Sequence, residues 1–152
     1  MSDIQNIQAE LIAAYEALTF PNSLGSPTGY KHEPLNGLDS GDLPAVVVNR
    51  GVLISKRPIS SDRDSITREY ITDVYCYLKD ESEPVNATQR NNTSDCIDVI
   101  EGAFAIYALT TRGVLFHVMS ADTGDVELYA RDDTKDYIGV RFRHQVTYIK
   151  EK

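Results

Sequence analysis

The spacing of apolar residues near the N-terminus predicts an amphipathic helix. Apolar side chains recur there every three or four positions, which places them on one helical face. The members of this stripe are Ile4, Ile7, Leu11, Ile12, Tyr15 and Leu18. Ser2 and Gln5 have the spacing of a capping box, and Pro21 followed by Asn22 predicts the end of the helix. The first element is therefore expected to be a helix with one buried face.

A second stripe with the same spacing predicts a second helix. Its members are Ile97, Ile100, Phe104, Tyr107 and Ala108. Thr93 or Ser94 is expected to cap this helix, and Asp95 suits the positive end of its dipole. Gly113 predicts its C-terminal stop. We expect the two helices to lie side by side on one face of a sheet.

Runs of β-branched residues predict the first strands. Residues 43–54, LPAVVVNRGVLI, contain three successive valines that fit a buried strand. Asn49-Arg50-Gly51 interrupts this run as a turn, a bulge or a kink. Residues 66–78 predict a long strand with apolar groups on both faces. Its two faces would carry Tyr70, Thr72, Val74, Cys76 and Leu78 on one side and Ile71, Tyr75 and Tyr77 on the other.

Three further strands are predicted after the second helix, over residues 114–120, 126–131 and 138–150. The last one alternates strictly between apolar and polar positions, so one face would meet a core and the other water or a polar partner. The element order is αββαβββ. It predicts an α+β two-layer sandwich, in which a mixed, mostly antiparallel sheet of four to five strands carries both helices on one face.

Length and composition predict one domain spanning residues 1–152. The expected long loops are 22–43, 55–65 and 79–94. No apolar run reaches the roughly 18 residues of a membrane span, and the N-terminus does not look like a secretory signal. Cys76 and Cys96 lack CxxC spacing, so we expect two reduced thiols in a cytosolic protein.

Positive charge is concentrated in one segment of an acidic chain. The formal net charge is -8, yet residues 50–68 hold five basic residues and two acidic ones. Net acidity argues against a dedicated nucleic-acid binder, because such affinity needs many cations near phosphates. The mixed charges of the segment favour a specific protein contact, for example between copies of the chain.

The sequence predicts no catalytic, metal or cofactor site. A nucleophilic triad needs an activated Ser or Cys near a His, and there is no G-x-S-x-G motif. His32, His117 and His144 are too scattered for a zinc site. His117 and His144 lie in separate predicted strands, where we expect a structural pair rather than metal ligands.

The chain resembles the tail terminator, or tail-completion, proteins of long-tailed bacteriophages. The resemblance rests on the element order and on three segments that follow the first helix. These segments are LPAVVV at 43–48, CIDVIEGAFAIYAL at 96–109 and YIGVRFRHQVTYIK at 137–150. The polar segment before the second helix is longer than the resemblance predicts.

The resemblance implies a structural virion protein without catalysis or cofactor. Members of the family form a homohexameric ring that caps the tail tube and stops its polymerisation. The ring also provides the docking surface for the head connector. The implied partners are other copies of the chain, the tail tube protein and the connector or neck protein, with no membrane partner. The implied location is the head-proximal end of the virion tail, with assembly in the host cytoplasm.

The basic segment is the candidate interface of such a ring. The candidate residues for contact with a neighbouring subunit or with the tail tube are Arg50, Lys56, Arg57, Arg63 and Arg68. Their expected partners are acidic groups in segments such as 33–42 or 79–83. A second hypothesis places these arginines along the channel, close to passing DNA.

Three other classes of function stay open. One is another head–tail neck or joining protein, and one is an adaptor that regulates a host protein. The third is a small-ligand-binding or enzymatic α+β domain, whose pocket would be lined by Tyr75, Tyr77, His117 and His144. For these four side chains a mixed sheet core is the preferred interpretation.

Overall fold

The computed structural model describes residues 2–32, 37–78, 87–121, 127–129 and 136–152. Two α-helices, one 3₁₀ helix and seven strands lie within these residues. In chain order they are α1 (Asp3–Glu16), β1 (Thr28–Tyr30), the 3₁₀ helix (Ser40–Asp42), β2 (Ala45–Val48), β3 (Val52–Ser60), β4 (Arg63–Leu78), α2 (Ala87–Ile106), β5 (Val114–Ala121), β6 (Glu127–Tyr129) and β7 (Asp136–Glu151).

The sheet is built around its two longest strands, β4 and β7, which pair antiparallel along nearly their whole length. β2 and β3 pair with the other edge of β4, and β5 and β6 pair with the other edge of β7, all antiparallel. Among the described strands, only β1 runs parallel to its neighbour, β2. The predicted α+β fold with a mostly antiparallel sheet is confirmed, but the sheet has seven strands rather than four or five.

Both helices pack on one face of the sheet and form the main core with it. The core includes Ile7, Leu11 and Tyr15 of α1, Cys96 and Ile100 of α2, and Tyr70, Val74, Phe142 and Val146 of the central strands. The predicted capping box starts α1. The Ser2 hydroxyl accepts from the Gln5 amide at 3.3 Å, and the Gln5 side chain accepts from the Ser2 amide at 3.1 Å. Burial of one helical stripe against the sheet therefore follows the predicted pattern.

The opposite face of the sheet has a small apolar cluster and a charged centre. The cluster consists of Leu38, Ala45, Val47, Tyr75 and Tyr137. Beside it, Arg141 binds Asp73 through two hydrogen bonds of 2.7 and 3.2 Å, and Arg143 binds Glu69 at 2.9 Å. These cross-strand ion pairs satisfy the charges of a face that neither described helix covers.

A β-bulge at Cys76 changes which side chains share a face of β4. Tyr75 pairs with Gly139 and Tyr77 with Ile138, so Cys76 is the extra residue. The predicted alternation holds up to the bulge, but beyond it Tyr77 packs against the main core and Leu78 against the small cluster. The predicted faces of Tyr77 and Leu78 are therefore wrong, because one inserted residue reverses a period of two.

Two predicted loops contain regular structure. Residues 55–65 form a β-hairpin instead of a loop: β3 ends at Ser60 and β4 begins at Arg63. The β3 part of this segment is exposed along its whole length, so it has no buried face to generate an apolar pattern. Within the described residues of 22–43, the structure contains β1 and the 3₁₀ helix.

The third predicted loop, 79–94, is partly helical, since α2 begins at Ala87; residues 79–86 lie outside the described part of the chain. Thr93 and Ser94 do not cap α2. Each hydroxyl donates to a carbonyl four residues earlier in the helix, of Gln89 at 2.9 Å and of Arg90 at 3.1 Å. Local bonds of this kind are an alternative to capping for hydroxyl side chains, and the sequence does not distinguish between the two.

Candidate assembly interface

β3 and residues Arg63–Glu69 of β4, which pair with it, form a two-stranded hairpin at one edge of the sheet. Every residue of β3 is exposed. The turn is short, and the Ser60 hydroxyl donates to the Asp62 carboxylate across it at 2.7 Å. We call this element the basic hairpin, because it contains four of the five basic residues predicted to form an interface.

The exposed basic side chains stand on and beside this hairpin. Arg50, Lys56, Arg57 and Arg63 are all exposed. Lys56 lies 3.8 Å from the Asp64 carboxylate. Within the described part of the chain, no ion pair involves Arg50, Arg57 or Arg63. Three exposed guanidinium groups, two on the hairpin and one in the β2–β3 connection, therefore lie close together along the chain of an acidic protein.

Arg68 differs from the other four predicted interface residues because it is directed into the protein. Its Nε donates to the Tyr148 hydroxyl, and a terminal guanidinium nitrogen donates to the Gly51 carbonyl, both at 3.1 Å. Gly51 lies against the ring of Tyr70, where an added Cβ would be 2.6 Å from the ring. Arg68 thus fixes the base of the basic hairpin to β7 and to the β2–β3 connection.

Asp64 joins the hairpin to the end of β7. Its side chain is only 8% exposed, and its two oxygens lie 3.8 Å from Lys56 and 3.4 Å from Lys152. The backbone amide of Lys152 also donates to the Asp62 carbonyl at 2.8 Å. The alternation of acidic and basic residues seen in the sequence therefore has a structural use: the acid holds the hairpin in place while the arginines stay exposed.

The hairpin also exposes apolar side chains that the sequence pattern did not identify as surface. Val52, Leu53, Ile54 and Ile59 are 57%, 48%, 48% and 55% exposed. The run up to residue 54 resembles a buried strand, but only β2 is buried, because the break at Asn49–Gly51 moves the chain to the edge of the sheet. A mixture of arginine and exposed apolar residues is typical of protein interfaces.

The acidic partners predicted from the sequence are not brought to the hairpin within one copy by the described residues. Segment 79–83 and residues 33–36 lie outside the described part of the chain. In the remainder of 33–42, the Asp42 carboxylate accepts a hydrogen bond from the Asp39 amide at 2.9 Å. Within the described part of the chain, no ion pair joins Asp42 to the hairpin.

The two predicted histidines meet in the core. His117 Nε2 lies 2.8 Å from His144 Nδ1, and His144 Nε2 lies 2.6 Å from the Tyr15 hydroxyl. Burial and the neighbouring His117 lower the pKa of His144 to about 3. Burial also lowers the pKa of His117, against the raising effect of the Glu10 charge. The pair is thus a neutral hydrogen-bonded chain inside the protein.

The alternative pocket of tyrosines and histidines does not form. Tyr75 packs against Tyr137 on the helix-free face, with ring centroids 4.5 Å apart. Tyr77 accepts a hydrogen bond from Asn92 of α2 at 2.9 Å, while His144 is buried beneath the helices and His117 is partly buried beside it. No group of three potential metal ligands occurs among the residues that the structure describes.

A polar cleft of about 600 Å³ lies where β2 gives way to β3. Its polar lining comes from Gln5, Gln8, Lys31, His32, Asn49 and Arg50. Gln8 is buried and donates to the carbonyls of Val48 at 2.7 Å and Lys31 at 3.2 Å, so it holds β1 beside the end of β2. Lys31, His32 and Arg50, three residues with basic side chains, therefore border one cleft.

Cys76 and Cys96 are both free and buried. The neighbouring Cys76 thiol and burial raise the pKa of Cys96. Both cysteines belong to the main core, in which β4 packs against α2.

No protein-family model matches this sequence, and no curated protein matches it at a significant level. Within the described ranges, no helix has the length and apolar content of a membrane span.

Proposed function

We propose that the protein is a structural virion protein of the tail terminator type, which forms a homohexameric ring at the head-proximal end of a long phage tail. The ring caps the tail tube, stops its polymerisation and presents a docking surface to the head connector. The number six comes from the family resemblance, not from the residues of this chain. The location follows in the same way: the assembled virion, after assembly in the host cytoplasm.

The basic hairpin is the observation that supports this proposal. It is an edge element with four exposed apolar side chains, and exposed Arg57 and Arg63 lie on the same element. An exposed apolar surface flanked by charge marks a site of association. Its anchoring through Arg68 and Asp64 gives the hairpin a fixed position, which a repeated contact requires.

The proposed mechanism is assembly rather than catalysis. In a closed ring, one heterologous contact is repeated at every subunit, so modest pairing energies add up. One face of the ring complements the last ring of tube subunits, and the other face presents no site for a further tube subunit. The connector or neck protein then binds the second face. Arginines directed inward in the ring would lie close to DNA in the channel.

Mass photometry and negative-stain imaging across a concentration series, with and without the cognate tail tube protein, test the proposal. We expect closed rings with a central hole and tubes that stop growing when the protein is added. Arg57→Glu should weaken both effects. Lys31→Glu changes an exposed charge outside the hairpin and is the matched control. Normal tube growth in the presence of the wild-type protein would contradict the proposed function.

A second candidate function is supported by the polar cleft. Its basic lining of Lys31, His32 and Arg50 suits a small anionic ligand. A thermal-shift screen over nucleotides and metal ions tests this candidate, because a ligand that binds the folded state raises the melting temperature. A shift that Lys31→Glu abolishes and Arg57→Glu leaves unchanged would favour the ligand-binding function.

A further inference from the structure

The edge of the sheet opposite the basic hairpin also exposes apolar side chains. Among the described strands, β5 pairs only with β7. Leu115, Phe116 and Val118 of β5 are 52%, 65% and 63% exposed, and Ile106 at the end of α2 is 90% exposed. A cluster of this kind, rather than a single exposed residue, indicates an interaction surface.

The helix beside this second edge, α2, carries net negative charge, whereas Arg112 precedes β5. Phe104, near the end of α2, packs edge to face against His117 of β5, with the ring centroids 5.9 Å apart. The end of α2 therefore lies over β5. α2 contains three acidic residues and one basic residue, and Asp95, Asp98 and Glu101 are exposed. Residues 50–69, which include the basic hairpin, contain five basic residues and three acidic ones. The exposed face of α2 and the hairpin segment therefore have opposite net charge, which favours contact between them.

Strand direction is compatible with a contact between two copies. The strands β3, β4, β7 and β5 are neighbours in this order, and each pair is antiparallel. β3 and β5 therefore run in opposite directions. A second copy placed beside the first in the same orientation brings its β3 next to β5 with the antiparallel alternation maintained.

We infer that the basic hairpin of one copy docks against β5 and the exposed face of α2 of the next copy. This surface, β5 with the exposed face of α2, is called the β5–α2 edge. The occupant is a second copy of this chain, and the contact is heterologous, so repetition generates rings or open chains. Its closure into a ring rests on the proposed function; the pairwise contact rests on the two edges alone.

Side chains, rather than a continuous backbone ladder, provide most of this contact. β3 has register shifts between Leu53 and Ser55 and between Pro58 and Ser60, and β5 has one between Val114 and Phe116. Bulges and Pro on an edge strand hinder unlimited β-pairing. Specificity then comes from matching apolar rows and opposite charges, which limits each edge to its complementary partner.

A complementation experiment with two blocked variants tests the inference. Ile54→Glu blocks the hairpin, and Phe116→Glu blocks the β5–α2 edge; both positions are exposed, so the fold should persist. Ala13→Glu, an exposed position on α1, is the matched control. We expect each blocked variant alone to associate at least roughly 30-fold more weakly than the wild type. A mixture of the two should form a one-to-one dimer through the two intact edges.

Native mass spectrometry distinguishes the outcomes. A two-fold contact of β5 with β5, or of β3 with β3, would leave one blocked variant fully associated and would overturn the inference. A mixture that stays monomeric while the wild type assembles would also overturn it, as would a wild type that is monomeric at about 1 mM. If the complementation succeeds but tube growth is unaffected, the proposed function fails and the inferred contact stands.

Discussion

The imidazole rings of His117 and His144 stack with their centroids 5.0 Å apart, and a hydrogen bond joins the two rings. His144 is fully buried, and the Tyr15 hydroxyl binds its other nitrogen. Three side chains that the sequence places far apart thus form one chain of hydrogen bonds between α1, β7 and β5. Because a charge on buried His144 has no access to water, protonation of its ring destabilises the folded protein at acidic pH.

Acidification should destabilise the protein through His144. Its pKa in the folded state is about 3, below the roughly 6.5 expected when unfolded. The unfolded state therefore binds more protons between these two values, and stability falls as the pH falls through this window. From pH 7 to pH 4 the loss from this residue should be about 3 kcal/mol.

Urea unfolding at several pH values measures this effect. His144→Gln removes the titrating ring and should flatten the pH dependence between pH 6 and pH 4. His32→Gln is the control, because His32 is exposed and lies two residues after β1. This variant should retain the wild-type dependence of stability on pH. Equal slopes for the wild type and His144→Gln would contradict the assignment of the acid sensitivity to this residue.

Substitutions of Arg68 and Arg57 should distinguish a residue that stabilises the fold from one that serves only in assembly. Arg68→Ala removes the hydrogen bonds to Tyr148 and Gly51, and should lower the free energy of unfolding by about 1–3 kcal/mol. Arg57→Ala removes an exposed side chain, and should change stability by no more than about 0.5 kcal/mol. Denaturant unfolding gives both values. If Arg57→Ala destabilises as much as Arg68→Ala, the assigned difference in their roles is wrong.

Two glycines should respond in opposite ways to alanine. A Cβ on Gly139 would lie 2.0 Å from the Val74 carbonyl oxygen, a backbone atom of the neighbouring strand. Gly139→Ala should therefore cost about 3 kcal/mol or more. Gly102 lies in α2, and an added Cβ would have no atom within 4 Å apart from its chain neighbours and the backbone of its own helix, so Gly102→Ala should stabilise the fold by about 0.5–1 kcal/mol. Thermal unfolding of both variants measures the contrast.

Cross-linking of two introduced cysteines should detect the inferred contact between copies. The native thiols of Cys76 and Cys96 are buried, so a bismaleimide reagent should react mainly with cysteines introduced at Ile54 and Phe116. With both substitutions in one chain, denaturing gels should show a ladder of cross-linked species. Each single variant should remain a monomer on the gel. A dimer formed by either single variant would indicate a two-fold contact instead.

The sequence predicts the parts of the fold that depend on local periodicity. The helical stripe of α1 and its capping box at Ser2 and Gln5 are confirmed, as is the alternation of β7 from Val140 to Tyr148. Each of these follows from a repeated burial pattern within one element. The structural pair of His117 and His144, predicted from their places in two separate strands, is also confirmed.

The exposed and irregular elements could not be predicted in the same way. β3 has no buried face, so residues 55–60 carry no period-two signal, and the sequence predicts a loop there although Val52–Ile54 belong to a predicted strand. The start of α2 is polar for a related reason, with Thr93 as its first buried residue. The apolar residues of β5 predict a strand but not its edge position, because pairing partners are set by the whole sheet. Both edges of the inferred contact are therefore visible only in the structure.

The pairing of β4 with β7 along nearly their whole length also has a mechanical consequence. The basic hairpin continues directly into β4, so a pull on the hairpin is transmitted along the strand axis. Hydrogen bonds of an antiparallel ladder lie perpendicular to the strands, and such a pull loads them together in shear rather than one after another. A subunit held at its hairpin would therefore resist extension with the combined strength of its two longest strands.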